Sequence, residues 1–209
     1  MCIRDRLVTD QVYEKEHNGV LMINILSHVV EFRNSESGQH VLHIRTLTGL
    51  LLHQLVQKTD RYQLDESDIS LISTASALHD IGKIMIPEEI LNKPGRLTEE
   101  EYATIKTHTT EGARILKGLA IGQDEPLVKV AHAICRWHHE RWDGGGYPDR
   151  LKGDEIPIAA QVVALADVYD ALTSERCYKQ SYSHEKAVDM ILPVSYTHLR
   201  AHETVLDLV

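Results

Sequence analysis

The chain is short of cysteine and of long apolar runs, and it has no excess of positive charge. Its three cysteines, Cys2, Cys135 and Cys177, show no CxxC spacing and no even disulfide framework. That points to a reducing compartment, of which the cytoplasm is the simplest. The longest apolar runs, such as Gly49-Leu50-Leu51-Leu52, are far too short to span a bilayer. Met1 to Arg6 carries charge with no apolar stretch behind it, so no secretory signal is expected. Lys and Arg number 22 against 31 Asp and Glu, a net charge of -9 with His neutral. Non-specific binding to a nucleic-acid polymer is therefore not expected. Internal repeats and long alternating runs of the strand type are missing as well.

What remains is ordinary except in one respect. The 209 residues are 43% hydrophobic and 25% charged, which suits one soluble domain, or one domain and a connecting helix. Thirteen His is high for this length. The apolar pattern is helical almost throughout. Val20, Leu21, Ile23, Ile25, Leu26, Val29, Val30 and Phe32 read as a long helix, broken at 34–38. His40, Ile44, Leu47, Leu51 and Leu55 fall on one face of the next. Asp65 to Asp68 opens a third, with Ile69, Ile72, Ala75 and Leu78 facing inward and an end near His79. Thr98 and Glu101 form a capping box for a helix expected to run through His108 to Leu116. Pro126 opens a helix to His138, Trp142 to Gly153 is a Gly-rich loop, Ile158 to Leu172 is a buried helix with Val162, Leu165 and Val168, and Glu185 to Leu192 closes the series. The expected architecture is an all-α bundle.

Seven side chains suited to transition metals are spread along these helices: His40, His79, Asp80, His108, His138, His139 and Asp167. Adjacent residues on a helix point about 100° apart, so the pairs His79-Asp80 and His138-His139 can each serve two neighbouring ions. Two metals a few ångströms apart can activate a water and clamp the oxygens of a phosphoryl group. The chain thus reads first as a phosphoester hydrolase. Gly82 allows a tight turn after His79-Asp80, and Lys83, four residues after His79, projects to the same face if the helix continues. Glu140 is placed to orient a ligand, and Tyr147 to stack on a base or donate to a phosphate. Asp167 and Asp170 lie three apart on one helix, and spacing does not separate them as ligands. His17, His28, His43, His53, His132 and His184 lack a partner motif and read as core or solvated residues, and Cys135 as a packed thiol.

The stretches Glu36-Ser37-Gly38-Gln39-His40, His79-Asp80-Ile81-Gly82-Lys83, Lys106-Thr107-His108, His138 to Pro148 and Ala166 to Thr173 together resemble an HD-GYP domain, a subgroup of the HD phosphohydrolases. The resemblance spans roughly residues 30 to 192. It implies a metal-dependent phosphodiesterase that hydrolyses the bacterial second messenger cyclic di-GMP to linear pGpG and on to GMP. It implies two or three divalent ions, iron or manganese, and a place in signal transduction of the two-component type. His40, His79, Asp80 and Asp167 would hold one metal, with Asp80 bridging, and His108, His138 and His139 the second. Glu36 matches the acidic position that completes a third site in some members. Asp80 and Lys83 would carry catalysis, and Lys83, Tyr147, Arg176 and Lys179 would touch substrate. Asp170 would hold its helix in place. Gln161 and Cys177 depart from the family, standing where Arg and Pro are common.

The implied partners are cyclic di-GMP, a diguanylate cyclase domain docking on the Gly-Tyr-Pro loop, an upstream receiver or sensor domain, and a second copy of the chain. No membrane is among them. Two other readings are carried forward: hydrolysis of another cyclic dinucleotide or nucleotide, and a weakly active signalling module. Residues 1–6 and 193–209 resemble translated adapter read-through, the second alternatively a disordered tail. Between them, 7–32 is expected to be a linker or first helix, and 33–192 the catalytic domain.

Overall fold

The computed structural model describes residues 3–33, 39–119, 124–175 and 181–198. Among these there is no strand. The order is α1 (Ile3–Arg33), α2 (Gln39–Lys58), α3 (Glu66–Ser76), a 3-10 helix (Ile81–Met85), α4 (Glu88–Leu91), α5 (Glu99–Lys106), α6 (His108–Lys117), α7 (Pro126–Trp137), a short 3-10 turn (Gly153–Glu155), α8 (Ile158–Thr173) and α9 (His184–His198). The expected all-α bundle is what forms.

Helices α2, α3, α7 and α8 surround the core. α2 packs on α3 and α8, and α3 and α8 both pack on α7. Ile44, Leu52, Leu55, Ile69, Ile72, Ala75, Ile134, Val162 and Val163 fill the space between them. The α2 stripe is shifted from the expected one. Thr48 and Leu52 are fully buried, whereas Leu47 and Leu51 pack against the core from its flank. Two partners on different sides of α2 widen and displace its buried face. Val168, expected inside, is 47% exposed on α8.

Two helix boundaries differ from the reading of the sequence, and both set the site. α3 stops at Ser76, so His79 and Asp80 sit in a turn, and Lys83 follows on the 3-10 helix rather than on a continued α-helix. The helix expected from Thr98 to Leu116 is broken in two at Thr107. The hydroxyls of Thr104, Thr107, Thr109 and Thr110 each bond a carbonyl three or four residues back, which bends a helix. The capping box of Thr98 and Glu101 forms as expected, and Asp65 makes one with Asp68. α1 meets the body mainly at the 3-10 helix and α2. Arg33 at its end donates to the Ile84 and Ile86 carbonyls, and Asn92 donates to the Arg33 carbonyl at 2.9 Å.

Candidate metal centre

Helix ends and turns deliver the ligand set. His40 lies in the first turn of α2, His79 and Asp80 in the turn after α3, His108 at the start of α6, His138 and His139 just after α7, and Asp167 within α8. Close approach depends on Gly82. A Cβ there would stand 1.9 Å from the His108 carbonyl oxygen and 2.5 Å from the Gly112 nitrogen. The sequence reading gave Gly82 a turning role; its task is to let two backbones touch.

The side chains converge in two groups. Ligand atoms of His40, His79 and Asp167 lie within 4.8 Å of one another, and so do those of His108, His138 and His139. Asp80 stands between them. Its Oδ2 is 3.3 Å from His79 Nε2, and its Oδ1 is 3.3 Å from His108 Nε2 and 3.9 Å from His138 Nε2. His79, His108 and His138 are buried.

Hydrogen bonds on the far side of each ring fix which nitrogen faces inward. His79 Nδ1 meets the Ser76 carbonyl at 2.9 Å, His108 Nδ1 the Ile105 carbonyl at 2.7 Å, and His138 Nδ1 the Ile134 carbonyl at 2.9 Å. A carbonyl only accepts, so each Nδ1 carries a hydrogen, and in the neutral rings of His108 and His138 Nε2 presents a lone pair to the centre. His108 Nε2 and His138 Nε2 then face each other at 3.5 Å. Two lone pairs at that separation repel unless a cation lies between or beside them. His79 Nε2 and Asp80 Oδ1 are buried with no hydrogen-bond partner. Buried orphans of this kind are rare, and a metal ion answers all four.

Titration tells the same story. Burial, then the neighbouring imidazoles, push His138 well below the usual range and His139 down to about 4, and burial lowers His108. All three are neutral near pH 7, the form in which an imidazole can hold a metal. Burial works against the Asp80 carboxylate, yet Lys83, His79 and His108 outweigh it and hold the group well below the carboxylate range. Burial likewise opposes a proton on His79, but Asp80 and Asp167 raise it to about 9. Positive charge is wanted at that point.

Around the ligands, Asp170 is buried and accepts from His40 Nδ1 and His43 Nδ1, each at 2.7 Å, and from the Ser174 hydroxyl at 2.8 Å. Asp167 turns toward His40 Nε2 at 3.7 Å instead. Lys83 Nζ rests on Asp80 Oδ2 at 2.7 Å. Tyr147 lays its ring on His139, centroids 4.9 Å apart, and burial pushes its phenol above the usual range, so the hydroxyl stays a donor. Glu140 does not reach a ligand. It accepts from the backbone N–H groups of Asp149, Arg150 and Leu151 and so holds the Gly-rich loop. Gln161 is buried, its amide donating to the Ile156 carbonyl at 2.8 Å. Cys135 is a packed thiol that donates to the Leu78 carbonyl. Glu36, Arg176, Cys177 and Lys179 lie outside the described residues.

Sequence reasoning missed His43, although it follows His40 by three, one turn along the same helix face. It also missed the clamp on the loop. Asp149 takes two bonds from Arg136 and one from the Trp137 indole, at 2.7 and 2.8 Å. The Pro148-Asp149 pair reads only as a turn signal.

Comparison with known proteins places this geometry. The family model described as HD domain matches residues 21–199. The chain is 42% identical over 177 residues to a probable cyclic di-GMP phosphodiesterase of Vibrio cholerae, covering 83% of this chain and 40% of that protein. It is 39% identical over 173 residues to 3'3'-cGAMP-specific phosphodiesterase 2 of the same organism, covering 83% and 31%. A cyclic di-GMP phosphodiesterase of Thermotoga maritima matches at 40% over 166 residues, covering 79% and 42%. The crystal structure of a cyclic GMP-AMP-specific phosphodiesterase from V. cholerae superposes with a TM-score of 0.64 at 21% identity, over 90% of this chain and 48% of that one. The chain spans less than half the length of each of these relatives. With the fold, the His79-Asp80 pair and the family match in agreement, and as the HD-GYP resemblance implied, the chain belongs to the HD domain family.

Proposed function

We propose that the chain is an HD-GYP phosphodiesterase that hydrolyses cyclic di-GMP to pGpG, with GMP as the product of a second cut. One observation carries the metal part of this reading: two neutral imidazoles aim their lone pairs at each other across 3.5 Å, beside an ionised carboxylate. The proposed ligands are His40, His79 and Asp167 for one ion and His108, His138 and His139 for the other, with Asp80 shared. Glu36 is proposed for a third site. Iron or manganese suits this set of imidazole and carboxylate donors. When bound, the ions supply an activated water and neutralise charge building on the phosphoryl oxygens.

The chain's own residues do the rest. Asp80 stays ionised because Lys83 and its imidazole neighbours outweigh the cost of burial. Lys83, at the rim of that carboxylate, is placed to share its charge with a non-bridging phosphate oxygen. Tyr147 offers a flat, protonated phenol beside His139, suited to stacking on guanine or donating to phosphate. Arg176 and Lys179 are proposed as further contacts to substrate. Purified protein loaded with iron or manganese is expected to linearise cyclic di-GMP, and Asp80→Ala to abolish this and lower bound metal. Full turnover in Asp80→Ala sinks the assignment.

A second substrate is favoured by a specific observation: one relative at 39% identity is named for 3'3'-cGAMP. Side-by-side turnover of cyclic di-GMP and 3'3'-cGAMP decides between them. The reading of a weakly active docking module loses ground because all seven ligand residues on the described segments are present. A metal-free, inactive protein would restore it, with the Gly-Tyr-Pro loop as the docking surface for a diguanylate cyclase domain. No described helix is long and apolar enough to cross a membrane. A cytoplasmic setting, a partner copy, and residues 7–32 as a linker from an upstream sensor or receiver to a catalytic domain at 33–192 complete the proposal.

A further inference from the structure

Lys106 ends α5, two residues before His108 begins α6. Its ammonium lies 4.5 Å from the centre of the Tyr102 ring and 5.5 Å from that of Tyr147. The Tyr147 ring lies in turn on His139, so Lys106 is one aromatic ring removed from a metal ligand. It is half-buried, and among the described residues it makes no ion pair. Several other cations of the described segments are paired with acids. Lys83 sits on Asp80, Lys93 on Glu101, Arg136 on Asp149 and Arg141 on Asp143.

An ammonium that faces two rings, one of them the half-exposed Tyr102, is held less strongly than one paired with an acid, because a ring quadrupole attracts a cation less strongly than a carboxylate does. The chain carries nine more negative than positive charges, so leaving this cation without an acid is not for want of carboxylates. A cation held in place by aromatic faces, at the rim of a phosphoester site, is ready for an anion that arrives with the ligand. A cyclic dinucleotide has two phosphates, and only one lies at the metal centre in a single cut. We propose that Lys106 binds the second, non-reacting phosphate, with Tyr102 and Tyr147 holding the ammonium in position. Lys106 is then a specificity residue that favours cyclic dinucleotides over simple phosphodiesters. This rests on the phosphodiesterase reading above. The alternative is a lysine whose stem merely packs on two tyrosines.

The test compares wild type, Lys106→Met, which keeps an apolar stem, and Lys106→Arg, which keeps the charge. KM and kcat are measured on cyclic di-GMP and on bis(p-nitrophenyl) phosphate, with bound metal determined on the same samples. The expected result for Lys106→Met is a KM for cyclic di-GMP raised about tenfold or more, as for loss of a hydrogen bond to a charged group. The preference for cyclic di-GMP over the simple diester should fall by the same factor, with metal content unchanged and Lys106→Arg restoring most of the loss. An equal change on both substrates, or none on either, overturns the proposal. The two readings fail separately. If wild type hydrolyses no cyclic dinucleotide, the substrate reading falls, and the Kd of cyclic di-GMP for wild type and Lys106→Met decides on Lys106. A Kd weakened about tenfold sustains the role; equal Kd values, or no binding, end it.

Discussion

Gly82 has no side chain because the His108 carbonyl occupies the place where one would go. Gly82→Ala must push the 3-10 helix off α6, moving Asp80 and His108 apart. The expected cost is about 3 kcal/mol, the upper range for forced overpacking, read as a lower urea midpoint, with reduced metal binding alongside. Asp170 is a second point of this kind. Three donors converge on its carboxylate, and although burial opposes the charge, the bonds from His40, Ser174 and His43 bring it down to about 2. An amide at this place turns an N–H toward a ring N–H. Asp170→Asn is therefore expected to weaken metal binding about 10- to 100-fold, as measured by competition with a chelator. Spacing left Asp167 and Asp170 equivalent. What distinguishes them in space is that His40 shows Nδ1 to one and Nε2 to the other.

The element that most needs its neighbours is the Gly-rich loop after α7. It has no regular hydrogen bonding of its own, and two acids anchor it. Glu140 collects three backbone N–H groups, while Asp149 ties the far side to Arg136 and Trp137. Asp149→Asn keeps the shape and loses the charge, so KM is expected to rise more than kcat falls, since Tyr147 is two residues away. The Arg136 bond, aided by Trp137 against the effect of burial, holds Asp149 below the usual carboxylate range. A depressed acid stabilises the fold above its unfolded pKa of about 3.9 and loses that contribution as pH falls through its folded value. The difference in thermal midpoint between wild type and Asp149→Asn should therefore be full at pH 6 and shrink below about pH 4. A difference that stays constant down to pH 2 argues against the ion pair. The break at Thr107 belongs to this scale as well. Helical periodicity runs straight through Thr98 to Leu116, and only the run of hydroxyls at 104, 107, 109 and 110 hinted at the bend that frees His108 to head its own helix.

Across the whole molecule, the candidate ligands come from α2, the turn after α3, α6, the segment after α7, and α8, so ions bound at the two groups would together tie most of the bundle. Metal that binds only the folded state adds stability, about 2.7 kcal/mol at a hundredfold excess over Kd. Stripping it with a chelator should lower the melting temperature, and Asp80→Ala should remove most of the dependence on added metal. The sequence by itself determined the helical class, the capping box of α5, the inward face of α3 and the candidate metal-binding residues, with Asp167 and Asp170 left open by spacing. Each of these is written in local periodicity or in residue chemistry. Which nitrogen of each imidazole faces inward, which Asp on α8 meets the ligands, that Glu140 serves the loop, and that Lys106 lies between two tyrosines were decided only by tertiary structure. The imidazole orientation depends on where each helix stops, which sets the carbonyl three or four residues back that holds Nδ1, and the Asp170 and Lys106 contacts depend on groups far away in sequence; neither is fixed by the local pattern of a chain.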